Sequence, residues 1–365
     1  MAPNPMTAAP TIKDKVAFLS ALADVEDVIE THMAFVFLTR DHALKLKKPV
    51  WIGHSDCRTL ARRERAIAKE IWLNQDLAPK VYLGRLPLCW TGQGFALRGK
   101  GPVVDWLVQM TRLPRQFLLD GMIRQGRLPD RRQVDALTDT LVAFYRRQMG
   151  RRPPRHLYVL HLEREYAVTA DHLRALAAQL PHPTSLRVLD DLAANLRMLR
   201  PEILARDRAG MVVEGHGDLR PEHVCLTDPP VIFDRAEAAL ELRVVDIWDE
   251  CMFLATECAM LGYAGLGGVL ADALIAAGIA PPSPRLLVTY VQYRLVTRAR
   301  LALDHLRDRP PSGRENWAAK AQRYLDAADA LGRLDGTLRV HPLGHRGFPH
   351  LWRPQRPAAI SRSLR

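Results

Sequence analysis

Cysteine is scarce in this chain: only Cys57, Cys89, Cys225, Cys251 and Cys258 occur, an odd set that never falls into a Cys-x-x-Cys pair. That excludes a disulfide framework and a zinc site of the usual spacing. It leaves thiols that are buried or half-buried in a reducing compartment. Long apolar runs are also missing. A membrane helix needs roughly 18 uninterrupted apolar residues, and the nearest stretch, Leu261 to Ile279, is broken by repeated glycines and Asp272. Met1 to Pro10 have neither the basic start nor the apolar centre of a secretion signal. A cytoplasmic protein without a membrane partner is expected, and nothing in the sequence speaks to its oligomeric state. A working P-loop is absent too. Gly94-Phe-Ala-Leu-Arg-Gly99-Lys100-Gly101 nearly spells one, but Gly101 stands where a Ser or Thr must bind the metal, and the segment lies between two β-like pieces. It reads as a hairpin turn, and no second ATPase domain is expected in this chain.

What is present is ordinary globular composition, with 48% hydrophobic and 25% charged residues over 365 positions. That length suggests two lobes sharing a substantial core. The net charge of +12 raises the question of nucleic acid. Its distribution argues against it: five arginines lie in an acid-free tail after His341 and five more in a Pro-containing segment between Arg146 and Arg155, with no nucleic-acid-binding motif accompanying the charge. A basic scaffold for RNA or protein is kept only as a rival class.

The order of elements is informative. Phe35-Val-Phe-Leu38, Thr39-Arg40-Asp41 and the alternation of Ala43, Lys45 and Lys47 against Leu44 and Leu46 predict a hairpin. A helix is predicted from Thr59 to Leu77, ended by Pro79. β-like pieces follow at Val81 to Leu88, Gly94 to Arg98 and Val103 to Met110. From Leu113 the pattern is helical, at Phe117 to Arg124, Arg132 to Arg147, Ala167 to Gln179 and Ser185 to Asp207. Inside this helical part, Val224-Cys-Leu-Thr227 and Val231-Ile-Phe-Asp234 flank Asp228-Pro-Pro230 as a second hairpin. Helices are then predicted at Asp246 to Leu261, Gly268 to Ala277, Pro284 to Arg307 and Ser312 to Leu334.

Glu214-Gly-His-Gly-Asp-Leu-Arg-Pro-Glu-His223 precedes that second hairpin. With Asp228-Pro229 as the tip, Asp234 comes opposite Val224, beside His223 and the loop that holds Asp218. Two carboxylates and an imidazole near a glycine-containing loop suit a metal-nucleotide phosphate site. An ordinary turn at Asp218 and a strand end at Asp234 are the structural alternatives, which the joint pattern disfavours.

His216-Gly-Asp-Leu-Arg-Pro-Glu-His223 with Val231-Ile-Phe-Asp234 resembles the catalytic and metal-binding segments of the aminoglycoside phosphotransferase and choline kinase family, which has a protein-kinase-like fold. Ile29-Glu-Thr-His-Met33, Leu44-Lys-Leu-Lys-Lys-Pro49, Leu73-Asn74, Leu77-Ala-Pro79 and Tyr82-Leu-Gly84 extend the resemblance to a bacterial subgroup often fused to a P-loop ATPase domain. The resemblance implies an α+β, two-lobed fold with a small β-rich N-lobe and a larger helical C-lobe. It divides the chain into a flexible N-terminus (1–14), an N-lobe (15–112), a C-lobe (113–340) and a basic Pro- and Arg-rich tail (341–365). It implies ATP or another nucleoside triphosphate, Mg²⁺ or Mn²⁺, and a small-molecule acceptor carrying a hydroxyl or amino group. Asp218 becomes the catalytic base with Arg220 beside it, and Asp234 the chief metal ligand with His223.

Lys45 would contact phosphate, with Lys47 its competitor on the same face, and Glu70 would pair with it, with Glu64 as the alternative. Asp246, a helix N-cap by its position, and His216 would support the catalytic loop. Arg220 and His223 depart from the family, which has His and Asn there. Imidazole is a poorer magnesium ligand than an amide oxygen, so a nucleotide-binding, pseudokinase-like protein with little transfer activity is the alternative reading.

Overall fold

A computed structural model describes residues 10–182, 186–308 and 314–332. The basic tail at 341–365 lies outside the described residues. Two compact units divide the chain: residues up to Phe117 together with Val231–Leu240, and Leu118–Pro230 together with the chain from Glu241 onward.

The first unit begins with α1 (Ile12–Ser20), whose first three residues fall in the span 1–14 read from sequence as a flexible N-terminus. A reciprocal cap fixes its start: Thr11 Oγ1 accepts from Asp14 N–H, and the Asp14 carboxylate accepts from Thr11 N–H. Strands β1 (Val25–Glu30), β2 (Ala34–Thr39) and β3 (His42–Lys47) follow, then a two-residue pair, β4 (Trp51–Ile52) and β5 (Ser55–Asp56), then α2 (Leu60–Asn74), β6 (Tyr82–Trp90), β7 (Phe95–Leu97) and β8 (Val103–Thr111). Six of these strands form one antiparallel sheet in the order β1-β2-β3-β8-β6-β7. The near-P-loop segment contributes β7 and the turns on either side of it, with no helix after it.

Side-chain alternation along β3 decides what each sheet face carries. Leu44 and Leu46 pack with Phe37, Leu88, Leu107 and Leu19 of α1. Ala43 packs on the other face with Val108, Met110 and Ile67 of α2, and Val231 and Phe233 join this second cluster. That packing explains why Val231–Leu240 belongs with the sheet, although the sequence reading placed it in the helical part.

Between β8 and the two helices lies a buried ionic triad. Asp105 is 1% exposed; its Oδ2 accepts from Lys15 Nζ of α1 at 2.7 Å, and both its oxygens accept from the Arg63 guanidinium of α2 at 2.8 Å.

The second unit is mainly helical: α3 (Leu119–Arg124), α4 (Arg131–Met149), α5 (Leu157–Ala175), α6 (Arg187–Arg208), then β9 (Val212–Glu214) and β10 (Val224–Cys225). The next strand, β11 (Val231–Ile232), belongs to the first unit. After it come β12 (Val244–Asp246), α7 (Ile247–Met260), α8 (Leu266–Ala276), α9 (Pro284–Asp308) and α10 (Arg314–Gly332). Helix α5 starts well before the predicted Ala167, because Tyr158, Val159 and Leu162 are buried along with Tyr166. Strands β9 and β12 pair antiparallel, Val245 opposite Val213, and set the loop after β9 beside the start of α7. Every residue of α7 from Ile247 to Cys258 is buried. No described helix is long and apolar enough to cross a membrane.

Removing Asp105 leaves two buried cations unpaired, so Asp105→Ala should destabilise the protein by about 3–5 kcal/mol. Breaking the exposed Arg85–Glu64 pair with Glu64→Ala should cost less than about 1 kcal/mol. Urea unfolding of both variants checks the contrast.

Candidate functional site

In the first unit the lysines of β3 meet the acid of α2. The buried face of α2 runs Arg63, Ile67, Glu70 and Asn74, a helical stripe that turns Glu70 inward. Lys45 Nζ donates to Glu70 Oε1 at 2.9 Å and to Asp234 Oδ1 at 2.7 Å. Lys47 Nζ lies 2.6 Å from Glu70 Oε2 and donates to Glu237 Oε1 at 2.6 Å. Glu70 is fully buried, and each of its oxygens faces a lysine. The sequence alternatives thus resolve into separate places: Lys45 and Lys47 share Glu70 but differ in their second carboxylate, while Glu64 pairs with Arg85.

Burial pushes the Lys45 ammonium toward its neutral form, but Asp234, Glu70 and Glu237 outweigh that and hold its pKa well above the ordinary lysine value. Burial likewise favours neutral Glu237, and Lys47 and Lys45 reverse it, lowering the pKa. Both lysines therefore stay charged.

Asp234 takes a left-handed backbone conformation, φ 61°, which costs energy for a residue with a Cβ. Bonds on either side hold it there. Its N–H donates to Tyr82 Oη at 3.1 Å, and Arg235 N–H donates to Asn74 Oδ1 at 3.0 Å. Asn74 in turn donates to the Glu70 carbonyl at 2.8 Å. The end of α2 that carries Glu70 thus also positions Asp234, whose carboxylate remains 37% exposed.

In the second unit the loop after β9 carries the other candidate residues. Arg220 Nη2 donates to Asp218 Oδ2 at 2.8 Å, and Arg220 Nε lies 2.8 Å from Asp218 Oδ1. Burial raises the Asp218 pKa, but Arg220 and then His223 overcome it and bring it down to about 2. His223 Nδ1 lies 2.8 Å from the Asp218 carbonyl, and its ring stacks on His216 with centroids 5.9 Å apart.

Two glycines shape this loop. Gly217 has φ +89°, and a Cβ on Gly215 would come within 2.3 Å of Glu250 Oε2. Glu250 approaches that closely because it holds the loop. Its carboxylate accepts from His216 N–H at 2.9 Å, from Gly217 N–H at 2.5 Å and from Tyr145 Oη at 2.7 Å. Glu250 is the support that sequence reasoning missed. Its trace is the Asp and Glu content of an otherwise apolar helix, since buried acids imply fixed partners.

Asp246, expected to brace the loop, caps α7 by accepting from Trp248 N–H at 2.9 Å and receives the Arg206 guanidinium at 2.6 and 2.9 Å. It anchors the helix that carries Glu250. Among the described residues, no group of three or more His, Cys, Asp or Glu is arranged to hold a metal ion.

No protein-family model matches the chain. The uncharacterized protein Rv2004c of Mycobacterium tuberculosis and the uncharacterized protein Mb2027c of Mycobacterium bovis are each 31% identical over 309 residues, 82% of this chain. The chain spans 58% of the length of these curated relatives. Among solved structures, a choline/ethanolamine kinase family protein from Mesorhizobium loti aligns over 87% of this chain and 95% of its own, at 15% identity and a TM-score of 0.47. An ethanolamine kinase from Plasmodium vivax aligns over 84% and 82%, at 10% identity and a TM-score of 0.42. At such scores neither likeness bears on the chemistry, which rests on the residues themselves.

Arg220→Ala should let the Asp218 carboxyl titrate nearer its ordinary value, as read by carbonyl-carbon NMR. A depressed acid stabilises the fold fully above its unfolded pKa of about 3.9. In the parent that contribution is lost as pH falls toward about 2, so R220A should lose less stability across this window.

Proposed function

We propose that the protein is an ATP-dependent phosphotransferase of protein-kinase-like design, acting on a hydroxyl or amino group of a small molecule. The observation that carries the reading is Lys45, held at 2.9 Å from Glu70 and 2.7 Å from Asp234. A lysine fixed between a buried helix Glu and a half-exposed Asp on a strained backbone is the arrangement that phosphoryl transfer uses to place phosphate oxygens and a metal. The donor set fits: Asp234 offers carboxylate oxygen, which Mg²⁺ prefers, and Lys45 offers a fixed positive charge. Magnesium, when bound there, would neutralise charge on the transferred phosphoryl group.

The protein's own groups do the positioning. Lys45 would hold phosphate oxygens, and Glu70 would keep Lys45 in place. Asp218 would accept the hydrogen bond of the acceptor group and orient it. With a pKa near 2, Asp218 is a weak base, so orientation rather than proton abstraction is its main contribution.

A second reading, a nucleotide-binding protein with little transfer activity, draws on His223. Its Nδ1 is engaged by the Asp218 carbonyl, and imidazole is a poorer magnesium ligand than the amide oxygen expected there.

ATP with Mg²⁺ or Mn²⁺ should raise the melting temperature of the parent, and Lys45→Ala should abolish the shift. Asp218→Asn should keep the shift but lose γ-phosphate release or transfer by roughly 10²-fold, the scale of lost positioning. Nucleotide binding without turnover in the parent would favour the second reading. A melting temperature indifferent to every nucleotide and metal would sink both.

A further inference from the structure

A cavity of about 110 Å³ lies within the second unit, where the end of α3, the turn after Asp218, the end of α7 and α10 meet. Its walls carry Glu222 and Glu257 on one hand, and Arg124, Lys320 and Arg323 on the other, with Tyr324 beside them. Glu257 is 3% exposed. Its Oε2 accepts from Arg298 Nε at 3.1 Å and from Tyr324 Oη at 3.2 Å. Its Oε1 is buried without a hydrogen-bond partner among the described residues, and Glu222 Oε2 is in the same condition. A buried carboxylate oxygen left without a donor costs on the order of 1–3 kcal/mol or more. Two of them on the walls of one cavity can be satisfied by donors that a ligand brings.

The other charges exceed what these acids need. Arg298 already balances Glu257 and Asp120 pairs with Arg124, so Lys320 and Arg323 against Glu222 leave the cavity net positive. A ligand that satisfies both sets must bring hydrogen-bond donors for the glutamates and an anionic group for the cations. A cavity of about 150 Å³ takes up benzene, so this smaller one suits about half a dozen heavy atoms.

We propose that this cavity binds a small zwitterion of the amino-acid type. The ammonium is held by Glu257 and Glu222, and the carboxylate by Lys320 with Arg323 or Arg124. The turn joins the cavity to the loop, because Arg220 pairs with Asp218 and lies 4.0 Å from Glu222. If the phosphotransferase reading holds, an amino acid with a side-chain hydroxyl is the acceptor class, and that role rests on the reading. Binding itself does not.

Calorimetry on the full chain without nucleotide therefore tests the inference alone, using glycine, L-alanine, L-serine and L-homoserine. Ethanolamine, an amine without the acid, and glycolate, an acid without the amine, are the controls. At least one zwitterion should bind tenfold or more tightly than both controls, and Lys320→Ala should weaken it at least tenfold. Glu257→Gln should weaken it as well. Should that variant misfold for want of a partner for Arg298, K320A alone decides, since Lys320 is only half-buried. Equal binding of ethanolamine, indifference to K320A, or no binding by any of the four zwitterions would overturn the assignment.

Discussion

Strand β3 imposes the constraint on which the first unit depends. A strand must send alternate side chains to opposite faces, so a sequence that places Leu44 and Leu46 in one core commits Lys45 and Lys47 to the other. A buried ammonium is tolerated only when paired, and Glu70 pairs with both, one oxygen each. That pairing fixes how α2 is rotated against the sheet. The same rotation turns Asn74, one helical turn on, toward the backbone of Arg235, and so holds Asp234 in a conformation it would not adopt by itself. The geometry around Asp234 thus follows from the hydrophobic alternation of a strand far away in sequence.

The second unit meets the same problem with acids. Helix α7 is buried along nearly its whole length, yet it carries Asp249, Glu250 and Glu257, with Asp246 as its cap. Three of these four are matched by arginines: Asp246 by Arg206, Asp249 by Arg294 and Glu257 by Arg298. Burial raises the pKa of Asp249 and Glu257, and their arginines oppose it. Such pairs are weak evidence for stability, since desolvation consumes much of their Coulomb energy, but breaking one is costly. Glu250 takes two backbone N–H groups and a tyrosine hydroxyl. It therefore ties the loop to α4 as well as to α7.

These dependencies explain what could be read from the sequence. Alternation in β3, the run of α2 and the strands around the Asp228-Pro229 turn are local periodicities, and each appears where it was expected. The choice of Glu70 was also legible in principle, because Arg63, Ile67, Glu70 and Asn74 share one helical stripe that excludes Glu64. Strand β1 was missed because Val25-Glu-Asp-Val-Ile-Glu30 is half charged and almost wholly exposed, an edge strand paired along one side. Strands β9 and β12 are too short for any period to show. Glu250 was out of reach for a different reason: its role depends on the approach of a loop 34 positions earlier in the chain, and no local pattern encodes that distance.

Arg220 and His223 are not independent of each other. Both turn toward Asp218, the arginine to its carboxylate and the histidine to its carbonyl. A lone arginine next to a carboxylate would simply neutralise it, but Arg220 also lies within reach of Glu222, so its charge is divided between the loop and the cavity wall. The pair then acts as a unit: His223 fixes the backbone of Asp218, and Arg220 sets how its carboxylate is oriented and how readily it ionises. Replacing either residue alone would leave Asp218 held by the other alone. Their effects on Asp218 should therefore be non-additive, as expected for side chains that share one partner.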